Sequence, residues 1–381
     1  MNCELDKITV IVNGRFHAFD YAAELAKQNL LDRLISSMPY KIARKYGIER
    51  NHYIGLPIFE VLKRVWRIIF KREFSPILYS KIFTQTALLF IKKDTKYVIC
   101  NAGCCKEIFE SKKLKNSVKV LDRGSSHTYA NIDANRMAAK YHNIKWVQNS
   151  SAFVDRELLE YKLADRILVP SDYVEQTFLE KGYRREKILK IPFAFSFTKF
   201  EGIPRKKMER ELVVLFVGQV NHLKGIGVLI NAMSIVHIEY PKAKLWIVGP
   251  KNSLISKLIF KQEWIEYFGI LKGQDLVEKY LKASVFCLPT YDEGLAIVLL
   301  EAKNFGLPII TTFNSGASQL IRNGEDGFII PVGDHEILAK KIKEILENKE
   351  YFLQQAKFNI DMQEMTWEKY SDLLVNHLYK L

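Results

Sequence analysis

Nine short apolar runs recur along this chain, separated by stretches with helical spacing, and this alternation limits the possible folds more than any other feature. KITVIVN, KYVICN, VKVLD and RILVPS lie in the first half; ELVVLFVG, KLWIVG, VFCLPT, PIITT and GFIIP lie in the second. The runs are continuous rather than alternating, the pattern of strands covered on both faces in a parallel sheet. Between them, HEILAKKIKEILEN sets Ile337, Leu338, Lys341, Ile342, Ile345 and Leu346 on one face of a helix. SDYVEQTFLEKG reads as another helix, capped by Ser171 and stopped at Gly182. Repeated β-α units predict an α/β protein built on doubly wound sheets.

A length of 381 residues predicts two domains. The polar segment 196–211, SFTKFEGIPRKKMERE, carries Gly202 and Pro204, holds no strand and is followed directly by one. It divides a first domain, residues 1–200, from a second, residues 205–361. Sheets of this type bind ligands beyond the carboxyl ends of their strands, so both domains would aim their loops into one cleft.

Hydrophobic residues make up 48% of the chain and charged residues 26%, which suits a globular protein with a sizeable core. No stretch approaches the roughly 18 to 20 apolar residues that cross a bilayer. The opening MNCELDKITVIVNGRF has early acids and reads as a first strand, not a signal peptide, so the expected location is cytoplasmic. Cys3, Cys100, Cys104, Cys105 and Cys287 lack paired metal-ligand spacing and read as reduced thiols. The net charge of +14 is uneven: residues 41–96 hold thirteen Lys and Arg against Glu49, Glu60, Glu73 and Asp94. In FEVLKRVWRIIFKREFSPILYSKIFTQTALLFIKK these cations interleave with aromatic and aliphatic residues. That pattern predicts either an anionic membrane surface as a partner or an ordinary helix pair with a solvated basic face. No nucleic-acid module accompanies the charge, and nucleic acid is not an expected partner.

Two loops that follow strands carry chemistry. ELVVLFVG runs into QVNHLKGIGVLINAM, placing Gly218, Lys224, Gly225 and Gly227 before or at a helix start, where free N–H groups and a cation suit an anion. The same glycines would also serve merely to turn the chain. CLPTYDEGLAIVLLEAKNFGLPII sets Glu293 and Gly294 in a loop and Glu301 on the following helix. Carboxylates hold sugar hydroxyls well, because a charged acceptor strengthens the hydrogen bond. The plainer alternatives are a helix-dipole partner at 293 and a solvated helix residue at 301.

Together with LWIVG, GILKGQDLVEKYLKASVFCLPT and GEDGFIIP, these segments resemble the donor half of the family-4 (group 1) retaining glycosyltransferases, which have the GT-B fold. Upstream, DRGSSHTY and YKLADRILVPSDYVEQTFLEKGYRREKILKIPFAF resemble the same family, so the likeness covers roughly residues 120–335. It implies two Rossmann-like domains facing a central cleft and a nucleotide-diphosphate sugar held by the second. By that likeness Glu293 meets the donor sugar beside the Gly294 and Leu295 amides, Glu301 holds the ribose diol and Lys224 the diphosphate. Gly218 and Gln219 then border the donor, with Ile270 and Leu271 near its base. In the first domain it implies His127 near the transferred sugar and Gly14 as a turn near phosphates and acceptor, with His17 and Arg123 as further candidates. The tail, residues 362–381, resembles a helix that packs back on the first domain through Trp367 and Tyr370.

The implied reaction is retaining transfer to a glycan or lipid-linked acceptor in cell-surface polysaccharide assembly. The leaving phosphate would act as base, with no cofactor and no metal; the chain contains no Asp-x-Asp. Two departures stand out. Gln219 occupies a position where many relatives carry arginine, and Leu223 replaces a frequent basic residue. Lys224 must then carry more of the charge, or Arg15 or Arg123 must reach across the cleft. The same departures leave open a catalytically weak binding subunit of this fold; a sugar-nucleotide epimerase is a further alternative.

Overall fold

The computed structural model describes residues 7–195, 200–204, 208–251, 262–357 and 365–380. Cys3, parts of the 196–211 linker and the start of the expected terminal helix lie outside the described residues. The first domain holds a seven-stranded sheet ordered β3-β2-β1-β4-β5-β6-β7. Its strands are β1 Ile8–Val12, β2 Leu31–Ser36, β3 Tyr53–Gly55, β4 Tyr97–Asn101, β5 Val118–Asp122, β6 Arg166–Val169 and β7 Ile188–Lys190. The second holds six, ordered β10-β9-β8-β11-β12-β13. These are β8 Val213–Val217, β9 Lys244–Val248, β10 Ile265–Tyr267, β11 Val285–Leu288, β12 Ile309–Thr312 and β13 Gly327–Ile330.

Every strand pairing among the described residues is parallel. The central strands β1 and β8 are buried along their whole length, which is why they read as unbroken apolar runs. Both sheets reverse their winding beside the central strand, between β1 and β4 and between β8 and β11. Loops diverge at such a point and leave a crevice. The architecture is GT-B, two Rossmann-like domains.

Four strands escape the apolar pattern: β2, β3, β7 and β10. The run LDRLIS of β2 is interrupted by Asp32 and Arg33. The other three are only three residues long and lie at sheet edges. Edge strands need little continuous apolar sequence, because one side of the ladder is open.

Helix termini follow local chemistry. Ser171 accepts from the Val174 amide at the start of the helix Asp172–Leu179, and Asp334 accepts from the Ile337 amide at the start of His335–Glu347. On the latter helix Leu338, Ile342, Ile345 and Leu346 are buried. Cys100, Cys104, Cys105 and Cys287 are free and buried. Burial pushes their thiols upward, so they remain protonated.

The last described helix, Trp367–Leu378, returns to the first domain and packs on the helix Ala18–Lys27. Tyr370 stacks on Tyr21 with ring centroids 5.6 Å apart, and the Gln28 amide donates to Asp372 at 2.7 Å. At the root of this crossing the Phe195 amide donates to the Met365 carbonyl at 2.9 Å, joining the two points where the chain passes between domains.

The buried Tyr370 hydroxyl has no hydrogen-bond partner among the described residues. Replacing it with an apolar group of the same shape removes a polar atom that gains nothing from burial. Tyr370→Phe is therefore expected to be neutral or slightly stabilising, whereas Tyr370→Ala should cost on the order of 3 kcal/mol through the cavity it leaves. Denaturant midpoints of the two variants check this.

Candidate functional site

Three loops meet through their backbones where the domains touch. A Cβ on Gly294, in the loop after β11, would lie 1.8 Å from the carbonyl oxygen of Gly124, in the loop after β5. A Cβ on Gly316, after β12, would lie 2.0 Å from the Gly294 carbonyl oxygen. No side chain fits at Gly294 or Gly316, so only glycine allows this approach. The contact is reinforced by Ser171, whose hydroxyl donates to the Gly294 carbonyl at 2.6 Å. Next along the chain, Asp292 is 5% exposed and accepts from Asn131 at 2.6 Å and from Tyr173 at 2.7 Å, both residues of the first domain. Asn135 bonds His222 at 3.0 Å, while His142 donates through Nδ1 to the Ala138 carbonyl and accepts the Gly227 amide at Nε2.

This fastening fixes the loop that carries Glu293. The amides of Glu293 and Ala296 donate to the Asn314 and Ser315 carbonyls. Between them, the Gly294 and Leu295 amides find no acceptor among the described residues. The Glu293 carboxylate forms an ion pair with Lys224; the side chains are 26% and 17% exposed, so the pair is reachable from solvent. Burial draws the Lys224 ammonium down to about 8, with nearby Asp292 pulling the other way.

The Lys224 turn is held equally firmly. Asn221 caps it by accepting the Lys224 amide at 3.0 Å. The Leu223 carbonyl accepts from the Tyr291 amide and the Thr290 hydroxyl. A Cβ on Gly225, with φ of +68°, would lie 1.9 Å from the Pro289 carbonyl oxygen. The two sides of the β8/β11 crevice are therefore laced together, bringing a cation, a carboxylate and two unpaired amides into one place. Such a set can hold hydroxyls on the carboxylate and an anion on the ammonium. Beside it, the Gly218 amide donates to Val248 and the Gly249 amide to Gly269, so the ends of β8, β9 and β10 form a backbone ledge. Gln219 is exposed on this ledge, Leu271 packs against the core beyond it, and Leu295 is buried in the second domain. In the first domain Gly14, at φ +107°, lies two residues past β1, and its carbonyl accepts from the Ser36 hydroxyl at 2.9 Å.

Several expectations require correction. Glu301 is not the solvated helix residue of the plainer alternative. It is 4% exposed on the helix Ile297–Asn304 and accepts from the Tyr280 hydroxyl at 2.8 Å. His127 is 1% exposed and caps the helix Thr128–Tyr141 by accepting the Tyr129 amide at Nδ1. Tyr161, Phe178 and Tyr183 surround its ring with centroids 5.1 to 5.8 Å away, so it is packed rather than presented to a ligand. His17 is the histidine beside the inter-domain contact: its Cε1 would lie 3.2 Å from a Cβ on Gly124. Asp122 holds His17 Nε2 at 2.9 Å and also accepts from Tyr21.

Of the two proposed substitutes for the missing arginine, Arg123 is locked within the first domain, while Arg15 is exposed. Arg123 is buried, pairing with Glu157 at 2.6 Å and donating to the Ser126 carbonyl. Arg15 donates to the Tyr46 hydroxyl at 2.8 Å and lies over its ring. The helix start after Lys224 also offers less than expected, because the Gly227 amide is already given to His142.

The sequence alone does not single out Asp292, Asn131 and Tyr173, and it marks Ser171 only as a helix cap. The available signal was position alone: Asp292 and Ser171 sit in loops directly after strands, where cleft residues gather. Among the described residues no cluster of His, Cys, Asp and Glu could hold a metal ion.

Residues 199–360 match the model of the family described as glycosyl transferases group 1. The capsular polysaccharide biosynthesis glycosyltransferase CapM of Staphylococcus aureus is 30% identical over 161 residues, 41% of this chain and 42% of that protein. An α-1,4-N-acetyl-D-galactosaminyltransferase of Campylobacter jejuni, named for a diphospho-undecaprenol-linked glycan, is 26% identical over 183 residues, 46% of this chain and 49% of that protein. The chain thus spans about half the length of these curated relatives. The crystal structure of TarM superposes with a TM-score of 0.69 at 13% identity, covering 99% of both chains.

Two outcomes follow from this geometry. Gly294→Ala forces a methyl group into the Gly124 carbonyl and should cost roughly 1–3 kcal/mol while spreading the domains; thermal melts and a larger radius of gyration in solution scattering would register both. Burial, with Arg123 and Lys181 adding to it, lowers the His127 imidazole from 6.5 to about 4. Between those pH values the unfolded chain binds a proton there that the folded chain does not, so this residue's contribution to stability is lost as pH falls. Denaturation midpoints at several pH values should drop less steeply for His127→Asn than for wild type.

Proposed function

We infer that this chain, whose second domain belongs to the glycosyl transferases of group 1, moves a sugar from a nucleotide-diphosphate donor to a glycan or lipid-linked acceptor with retention of configuration. One observation carries the reading: the Glu293–Lys224 pair lies beside the unpaired Gly294 and Leu295 amides at the β8/β11 crevice. When a donor binds, Lys224 turns from Glu293 to the diphosphate, and Glu293 accepts from hydroxyls of the sugar. The Gly294 and Leu295 amides donate to the same sugar or to phosphate oxygens. Glu301, behind them, takes the ribose diol.

In the transfer itself the bond from the anomeric carbon to the leaving phosphate oxygen breaks, and positive charge spreads over the sugar ring. Negative charge grows on the diphosphate, where the Lys224 ammonium stabilises it most. The acceptor hydroxyl enters from the face the phosphate leaves and gives its proton to a phosphate oxygen. No protein base is required, and Lys224 supplies the positive charge without a metal. His17, held by Asp122 and close to Gly124, is the first-domain histidine beside this contact and replaces His127 in the reading. The similarity to a capsular polysaccharide enzyme and to one named for a polyprenyl-linked glycan supports cell-surface polysaccharide assembly at the cytoplasmic side of a membrane.

A second reading, a binding subunit without turnover, draws on a specific observation. Gln219 is exposed where the family resemblance implies a cation, Arg123 is locked to Glu157, and Arg15 donates to Tyr46. Donor hydrolysis measured across a panel of nucleotide sugars separates the two. Wild type should release nucleotide diphosphate slowly without an acceptor and faster with one. Glu293→Ala should lower that rate by at least about 100-fold with its melting temperature little changed. Glu301→Gln, which preserves the Tyr280 contact, should mainly raise KM. Rates near wild type in both variants would discard the assignment; donor binding with no hydrolysis in wild type would favour the binding subunit.

A further inference from the structure

The helix Ile58–Phe70 leaves most of its apolar surface in water. Phe59 alone among its residues is buried, against Tyr79 and Phe83 with ring centroids 5.9 and 5.6 Å away. On the side away from the domain, Ile58, Val61, Leu62, Val65, Ile68 and Ile69 follow one another at helical spacing, and they are 44% to 75% exposed. A continuous aliphatic stripe of this kind marks an interaction surface, whereas scattered exposed residues would not.

Charge identifies what the stripe meets. Arg64 and Arg67 are exposed on the same helix, and Lys71 and Arg72 follow it, also exposed. The helix has one acid, Glu60, and it is turned inward: it accepts from the Ser37 and Tyr79 hydroxyls at 3.0 Å and pairs with Lys63 at 3.5 Å. An aliphatic face edged by cations matches the order of materials at an anionic bilayer, acyl chains below and negative headgroups at the margin. A second copy of this helix would instead set arginine against arginine.

We propose that the helix Ile58–Phe70 lies in the headgroup region of an anionic lipid bilayer, aliphatic face down, and docks the first domain there. The location bears on the transferase reading, which this inference deepens by stating where the acceptor comes from. Lys63, on the same helix, lines a cavity of about 300 Å³ with Asn13, Tyr79, Ser80, Gly103 and Cys104. Asn13 directly follows β1, and Gly103 lies just beyond β4, so the cavity opens at the first domain's crevice. Docking would bring its mouth to the lipid surface and let a lipid-linked acceptor enter without leaving the membrane.

Co-sedimentation of the full chain with vesicles tests the docking, using phosphatidylcholine alone and phosphatidylcholine with about 30% phosphatidylglycerol. Wild type should bind the anionic vesicles at least about tenfold more tightly than the neutral ones and be released by about 0.5 M salt. Ile68→Glu/Ile69→Glu and Arg64→Glu/Arg67→Glu should each reduce that binding about tenfold or more, with unchanged melting temperature and unchanged donor hydrolysis. Failure of wild type to bind, or equal binding by both variants, overturns the docking. A lipid-free dimer that Ile68→Glu/Ile69→Glu splits would overturn it too, by showing that a second copy covers the stripe. None of these results touches donor hydrolysis, so the docking and the transferase reading fail independently.

Discussion

Where Gly124, Gly294 and Gly316 stack, the two domains touch through main-chain atoms, with distances that leave no room for a methyl group. That contact sets the position of the loop carrying Glu293, and the loop sets the rest of the site. Side chains at an interface can change rotamer and absorb an error of an ångström; packed peptide planes cannot. Asp292 and Ser171 then fasten the same loop to the first domain by hydrogen bonds. The position of Glu293 thus depends on both domains, although the carboxylate belongs to only one.

The charges near this contact are arranged economically. Lys224 and Glu293 pair with each other, so a reachable cation and a reachable anion coexist in a half-buried place. In the first domain Arg123 is locked to Glu157, and the exposed Arg15 donates to Tyr46. Positive charge for an anion at this crevice comes from Lys224 and is joined by the peptide dipoles of its turn. Glu301 is buried and held by the Tyr280 hydroxyl.

Much of the architecture was legible in the chain, for a physical reason. Strands buried on both faces must be apolar throughout, so the central ones announce themselves, whereas β3, β7 and β10 are short edge strands and β2 carries Asp32 and Arg33. The candidate site was legible to a smaller degree. Glu293, Gly294 and Lys224 sit in turns whose neighbours dictate their place, and the structure brings them together. His127 shows the opposite case. A histidine in a loop after a strand has the same sequence context whether its ring faces a cleft or an aromatic cage, and that choice depends on Tyr161, Phe178 and Tyr183, which lie far along the chain. Asp292 was masked by the glutamate next to it, since nothing local distinguishes an acid that faces a ligand from one that grips another domain.

The bond from the Phe195 amide to the Met365 carbonyl has a mechanical consequence. A single covalent tether would let two bodies swivel about three axes. Here the polypeptide crosses twice, and this bond ties the crossings together, so the freedom left resembles that of a door on its pins. Any parting of the lobes is then steered along one arc, and each swing shut returns Gly294 to the same seat against Gly124.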